Sequence, residues 1–129
     1  MKDFPKFMKK EMNKVPSKQQ NTPDIDGYYF EGKDGSQMAF WTYYSDRESK
    51  EQTHEFDEYT VCVAGQYTEI FDGIEHVLNP GDELLVPKGT PHHGRCIAGT
   101  RTIHAFGGKR IQNDWETNSN LSDWIKYAL

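Results

Sequence analysis

The sequence predicts an all-β fold, an antiparallel sandwich or barrel, in a single domain. Short segments rich in β-branched and aromatic residues alternate with turn signals roughly every 8 to 12 residues. The chain has 129 residues, the size of one ordinary domain. Only 35% of these residues are hydrophobic, but seven Tyr, seven Phe and three Trp bury a large area per side chain. We therefore expect one core that is rich in aromatic side chains.

The first 27 residues predict an arm that precedes the strands. Phe4, Phe7, Met8 and Met12 recur at helical spacing among lysines, which indicates a short amphipathic turn or helix. Two prolines then bracket a polar segment that we interpret as an extended loop. We expect this arm, residues 1–27, to pack on the domain or on a second subunit rather than on a membrane surface.

Three hairpins are predicted within residues 28–110. Each consists of two strand-like segments separated by a turn that contains glycine. The predicted pairs are Tyr28–Glu31 with Gln37–Tyr44, Gln66–Phe71 with Glu75–Leu78, and Gly94–Ile97 with Arg101–Phe106. Two further strands are expected at Tyr59–Val63 and Leu84–Val86, where β-forming and apolar residues cluster.

Residues 111–129 predict a helical tail. Leu121, Trp124, Ile125 and Ala128 fall on one apolar face of a helix. The run Asn118-Ser119-Asn120 supplies residues that commonly cap the start of a helix. The sequence therefore predicts a C-terminal helix outside the strands.

Composition argues against two classes of partner. The net charge of -5 provides no positive field to hold a phosphate backbone. No apolar run is long enough to span a bilayer, and the N-terminus lacks the apolar core of a signal peptide. Two cysteines, Cys62 and Cys96, are too few for a disulfide-stabilised secreted domain. We expect no nucleic acid partner, no membrane and a cytoplasmic location.

Two segments carry residues suited to metal binding. Gln52, His54 and Glu58 share one parity, so their side chains face the same way along an uninterrupted strand. The second segment begins at Gly81 and ends at His92, after a rigid turn of prolines and glycine. Imidazole and carboxylate together suit first-row transition metals.

These segments resemble the two motifs of the cupin superfamily. His54, Glu58 and Gly65 match the second histidine, the glutamate and the closing glycine of its first motif, whereas Gln52 replaces the first histidine and Arg47 the opening glycine. The second motif is matched by Gly81, Pro87, Gly89 and His92, with Cys96 in place of its closing asparagine. The chain is thus similar to a small, single-domain cupin.

The resemblance implies an antiparallel jelly-roll β-barrel over residues 28–110, with a short N-terminal arm and a C-terminal helix. It implies one divalent transition metal (Fe, Mn, Ni, Zn or Cu) held by His54, Glu58 and His92. Gln52 either coordinates weakly, hydrogen-bonds a metal-bound water, or leaves the metal with three protein ligands. Pairing of subunits in a homodimer is implied as well, through the face that carries Tyr59, Val61 and Val63.

The sequence constrains the activity of the protein less than it constrains the fold. The resemblance implies action on a small organic molecule in the barrel, with dioxygenase-like or isomerase/lyase-like chemistry. The alternatives are a non-catalytic module that binds or senses a small ligand, and a metal-free barrel in which the ligand positions form a hydrogen-bonded core.

Two catalytic candidates lie on the last strand, and the length of the preceding turn decides between them. A two-residue turn at Ala98-Gly99 points Arg101 into the cavity, where it favours a carboxylate substrate. A three-residue turn instead points Thr102, His104 and Phe106 inward and makes His104 a candidate base or ligand. A slip of one residue reverses every side chain of a strand, so both alternatives stay open at this stage.

Overall fold

A computed structural model describes residues 2–112 of the chain. Within them lie three single 3-10 turns followed by nine β-strands. The turns are Lys6–Met8, Glu11–Asn13 and Ser17–Gln19. The strands are β1 (Ile25–Glu31), β2 (Gln37–Tyr43), β3 (Arg47–Glu48), β4 (Glu58–Ala64), β5 (Tyr67–Phe71), β6 (Ile74–Leu78), β7 (Glu83–Val86), β8 (His93–Cys96) and β9 (Arg101–Phe106).

The strands form two antiparallel sheets that face each other across the core. One has the order β1-β2-β9-β4-β7 and the other the order β3-β8-β5-β6. The chain changes sheet between β2 and β3, between β3 and β4, and at most of the later connections, as it does in a jelly roll. The predicted all-β antiparallel fold is therefore confirmed.

The core consists of side chains that alternate inward along the strands. It is rich in aromatic side chains, as the composition predicted, with two rings from β2 and one each from β5 and β9. Its buried members include Ala39, Trp41, Tyr43, Cys62, Tyr67, Leu78, Cys96 and Phe106. Cys62 and Cys96 are free thiols that fill this space as small core residues.

The N-terminal segment is tied to the first strand. Val15 donates a backbone hydrogen bond of 2.8 Å to Gly27, and its side chain is buried in the core. Phe4 packs on Phe40, on the outer face of the larger sheet. Strand β1 begins at Ile25, inside the segment that was predicted as an arm. The division of the chain at residues 27 and 110 stays a prediction.

Two of the three predicted hairpins are confirmed. β1 pairs with β2, and β5 pairs with β6 around Asp72 and Gly73. Both of these turn residues have positive φ, 54° and 72°, which is the conformation of the tight turn predicted from the Asp-Gly sequence.

The third predicted hairpin is wrong. β8 pairs with β3 and β5, whereas β9 pairs with β2 and β4 in the other sheet. The backbone of the intervening turn bonds to Tyr43 instead of closing a ladder: Gly99 donates to the Tyr43 carbonyl, and Tyr43 donates to the Thr100 carbonyl, both at 2.9 Å. The turn therefore carries the chain from one sheet to the other.

Residues 113–129 lie outside the described part of the chain, and with them the predicted C-terminal helix. In the part that is described, no helix has the length and apolar character needed to cross a membrane.

Gly27 in β1 makes room for the ring of Trp41 in the core. Gly27 lies directly opposite Trp41 across the β1–β2 ladder, and a Cβ atom at this position would overlap the indole ring. The absence of a side chain at Gly27 therefore leaves the space that the Trp41 indole occupies.

We expect Gly27→Ala to destabilise the fold by about 1 to 3 kcal/mol, because the rigid indole has to move within a packed core. Urea unfolding measures this difference. Gly107→Ala is the matched control, since a Cβ atom there meets only ordinary contacts at 3.6 Å or more, and its effect should stay within about 0.5 kcal/mol. Equal stability of the two variants would contradict the proposed packing.

Candidate metal centre

The side chains of His54, Glu58 and His92 converge inside the barrel. One potential ligand atom from each lies within 4.8 Å of the other two. Glu58 Oε1 is 3.4 Å from His54 Nε2 and 3.3 Å from His92 Nε2. The residues come from opposite sheets, because Glu58 opens β4 and His92 immediately precedes β8.

Backbone hydrogen bonds hold the two ligand-bearing segments together. Gln52 and His92 exchange a pair of bonds of 2.9 Å, and Gly89 donates to the His54 carbonyl at 2.8 Å. Lys88 donates its backbone N–H to the Asp57 carboxylate at 2.9 Å. The segment from Gln52 to Asp57 is thus not a regular strand; the turn before His92 fixes its conformation.

Three buried polar atoms at this point have no hydrogen-bond partner within the described residues 2–112. They are His54 Nε2, Glu58 Oε1 and His92 Nε2. Burial of such atoms without partners is costly, so native structures seldom leave them in this state. His92 Nδ1 lies 2.8 Å from the Thr90 carbonyl; when Nδ1 carries the proton, the lone pair of Nε2 points towards Glu58. A cation between the three atoms would satisfy all of them.

Glu58 is the negative group at the centre of this cluster. Burial opposes its ionisation, but contacts with His104, His54 and His92 outweigh burial and hold its pKa well below the usual value. Oε2 lies 2.8 Å from His104 Nδ1, while Oε1 faces the other two histidines. The carboxylate therefore stays charged at neutral pH.

The structure distinguishes between the two catalytic candidates of the last strand. His104 is buried and faces inward, with Nδ1 near Glu58 and Thr60 and Nε2 2.9 Å from Thr102 Oγ1. Arg101 is also buried, but its guanidinium lies over the Phe4 ring at 5.1 Å, on the outer face of the sheet. The alternative that points Thr102, His104 and Phe106 inward is thus correct, and the placement of Arg101 in the cavity is wrong.

A cavity of about 40 Å³ adjoins the cluster. Gln52 and Glu58 line it, so the cavity meets the cluster at the Glu58 carboxylate. Aromatic rings form much of the wall, and polar residues of the N-terminal segment contribute to it. The lining residues are Asn21, Thr22, Ile25, Trp41, Tyr43, Arg47, Ser49, Gln52, Glu58, Tyr67, Gly94, Cys96, His104, Phe106 and Arg110.

Sequence reasoning missed a second buried carboxyl group. Glu69, on β5, is 1% exposed, and its Oε1 lies 3.9 Å from His92 Nε2. Burial and the nearby charge of Glu58 raise its pKa to about 8. Parity offered a signal, because Glu69 lies two residues after the inward-facing Tyr67 on a predicted strand and therefore shares its face. The two arginines of the cavity, Arg47 and Arg110, were also missed as site residues.

With this geometry in hand, comparison with known proteins identifies the family. The family model described as "Cupin domain" matches residues 39–110, which is more than half of the chain. The chain belongs to the cupin family. It is a small monocupin, as the motifs around His54 and His92 indicated.

Several solved cupins share this fold at low sequence identity. KdgF from Halomonas sp. superposes with a TM-score of 0.60 at 17% identity, covering 71% of this chain and 91% of that one. An RmlC-like cupin from Shewanella frigidimarina gives 0.60 at 18% identity, with 74% and 93% covered. A mutant of salicylate 1,2-dioxygenase from Pseudoaminobacter salicylatoxidans gives 0.61 at 12%, but this cupin matches only 26% of that chain. A search of curated protein sequences finds no match.

Replacement of Glu69 by Gln should make the stability of the metal-free cupin less dependent on pH. The pKa of Glu69 is about 8 in the folded chain, above its ordinary value of 4.5. The folded state thus retains a proton that the unfolded state has lost, and stability falls as the pH rises through this range.

Urea unfolding of metal-stripped protein at about pH 5.5 and about pH 8.5 measures the effect. The loss of unfolding free energy between these two conditions should be larger in the wild type than in Glu69→Gln, by at least about 1 kcal/mol. An equal loss in both proteins would mean that Glu69 is already ionised in the folded chain at the lower pH.

Proposed function

We propose that this cupin binds one divalent transition metal through His54, Glu58 and His92 and acts on a small organic molecule in the adjoining cavity. The observation that carries the proposal is the set of three buried ligand atoms within 4.8 Å, none of which has a well-formed hydrogen bond within residues 2–112. The two imidazole nitrogens lie 3.4 and 3.3 Å from Glu58 Oε1, but their alignment does not make hydrogen bonds to it, as a hydrogen-bonded core without metal would require.

The donor set fits Fe, Mn, Ni, Zn or Cu, because imidazole and carboxylate ligands suit these ions and leave positions open for a substrate. When bound, such an ion supplies Lewis-acid polarisation of a substrate or, if it is redox-active, chemistry with dioxygen. We propose two kinds of chemistry. Oxygenase-like chemistry is one, in line with the shared fold of salicylate 1,2-dioxygenase, and isomerase or lyase chemistry is the other.

Gln52 is proposed as a weaker fourth ligand or as a hydrogen-bond partner of a metal-bound water. Its side chain borders the cavity, and its backbone is fixed by the pair of bonds to His92. A neutral amide oxygen is a poorer donor than the imidazole that the cupin motif carries at this position.

His104 is proposed as a positioning residue rather than a general base. Both of its ring nitrogens are engaged, Nδ1 with Glu58 and Nε2 with Thr102. A ring held at both nitrogens orients the Glu58 carboxylate, as outer-shell partners of metal ligands commonly do. Trp41, Tyr43 and Phe106 are proposed to exclude bulk water and to contact the apolar part of the substrate.

Elemental analysis of protein purified without a metal-affinity tag tests the metal site. We expect about one equivalent of a transition metal in the wild type, and nearly complete loss in His54→Ala, Glu58→Ala and His92→Ala, because each removes one of three ligands. Gln52→Ala should lose less. His93→Ala is the matched control, since His93 neighbours His92 but belongs to no convergent group in the described residues.

Absence of metal from the wild type after reconstitution would overturn the metal proposal and favour a metal-free ligand-binding module. Loss in Gln52→Ala equal to that in the other three variants would show that Gln52 is a full ligand.

We also propose that the cupin forms a homodimer through the outer face of its larger sheet. A row of directly paired residues crosses all five strands of this face, and every member is apolar or aromatic. The row consists of Phe30, Met38, Ala105, Tyr59 and Leu85, of which four are at least 38% exposed. A second copy would cover the row with the same row of its own, as in a two-fold interface. Cytoplasmic location remains a prediction from the sequence.

Light scattering after size exclusion tests the dimer. Met38→Lys should shift the mass from dimer to monomer, because it places a charge at the centre of a buried apolar contact. Ile74→Lys changes an exposed apolar residue on the other sheet, 56% exposed against 45% for Met38, and should leave the mass unchanged. A monomeric wild type, or loss of the dimer in both variants, would contradict the proposed interface.

A further inference from the structure

Two arginines border the cavity beside the candidate metal centre. Arg47 begins β3, and Arg110 follows the end of β9. Among the described residues, each donates one hydrogen bond to the N-terminal segment: Arg47 Nε to Thr22 Oγ1, and Arg110 Nη2 to the Gln19 carbonyl, both at 2.9 Å. A guanidinium has five N–H donors, so most of the donors in each side chain remain for a ligand.

Neither guanidinium has an acidic partner within 4.0 Å among residues 2–112. Basic residues on the surface behave differently, since Lys14 contacts Asp26 and Arg95 contacts Glu75. Burial lowers the pKa of Arg110, and the charge of Glu58 opposes this shift without cancelling it. Both side chains are half-buried at the wall of the cavity, so their remaining donors are available to an anionic ligand there.

The acidic residue among the described lining residues does not supply such an anion to the arginines. It is Glu58, whose carboxylate is engaged by His54, His92 and His104 at 2.8 to 3.4 Å. The remaining wall consists of aromatic rings and neutral polar side chains. The cavity therefore combines two cations with a surface suited to a short carbon skeleton.

We propose that Arg47 and Arg110 bind the carboxylate of a small organic acid, whose remaining atoms lie against Trp41 and Phe106 and face the metal centre. A planar carboxylate matches the fork of a guanidinium and accepts paired hydrogen bonds from it. The volume of about 40 Å³ restricts the ligand to a few non-hydrogen atoms. This inference rests on the proposed function, because it assigns the substrate class of the same site.

The probes are acetate, propionate and glycolate, each beside its neutral amide, together with inorganic phosphate. Binding to zinc-loaded and to metal-stripped protein is followed by chemical-shift changes in nuclear magnetic resonance. At least one carboxylate should bind about tenfold more tightly than its amide. Arg110→Met and Arg47→Met should each abolish this preference while leaving zinc stoichiometry and amide binding unchanged.

Two further variants keep the result interpretable. Arg110→Lys retains the charge but not the fork, and it should retain part of the carboxylate preference even if Arg110→Met fails to fold. Arg95→Met removes a surface arginine that is paired with Glu75 and should behave as the wild type.

The outcomes separate this inference from the metal proposal. Zinc binding without any preference for a carboxylate, a preference that survives in both Met variants, or tighter binding of phosphate than of every carboxylate would each overturn the inference and leave the metal centre intact. A carboxylate preference that depends on the arginines, in protein that binds no metal, would support the inference and overturn the metal centre.

Discussion

A buried carboxylate surrounded by three histidines is the interaction on which the interior of this cupin depends. Glu58 lies within 3.4 Å of His54, His92 and His104, and these contacts keep it ionised despite burial. A charge in this position is tolerated only if the groups around it compensate for the water it has lost. The inward faces of both sheets contribute to that compensation. The packing of the two sheets against each other therefore determines the environment of the carboxylate.

The placement of the neighbouring groups follows from the topology. The turn after β8 crosses between sheets, so His92 and His104 approach Glu58 from different layers although only eleven residues separate them in sequence. The N-terminal segment lines part of the cavity, and its Thr22 and Gln19 accept hydrogen bonds from the two arginines at the cavity wall. The candidate metal ligands, His104 and the proposed anion site thus belong to different parts of the chain and meet only in the folded state.

Much of this arrangement could be predicted from local signals. The spacing of His54, Glu58 and His92 indicated their convergence, and the Asp72-Gly73 turn determined a hairpin because its geometry depends on two residues alone. The connection from β8 to β9 was mispredicted because the turn sequence does not reveal that its backbone bonds to Tyr43, more than fifty positions away. A similar reason explains why the sequence did not predict Glu69, Arg47 and Arg110 as site residues. A charged residue is expected to be exposed, and its sequence context does not show that a distant segment covers it.

The N-terminal segment packs against the barrel, and this packing affects where the domain should be taken to begin. The region matched by the family model starts at Ala39, in the middle of β2, and so excludes Val15, Thr22, Ile25 and the whole of β1. A protein trimmed to that region would lose a strand, one wall of the cavity and the anchors of both arginines. The boundaries of the family model therefore leave out the N-terminal part of this chain. We expect that part to help determine which ligand the cavity selects.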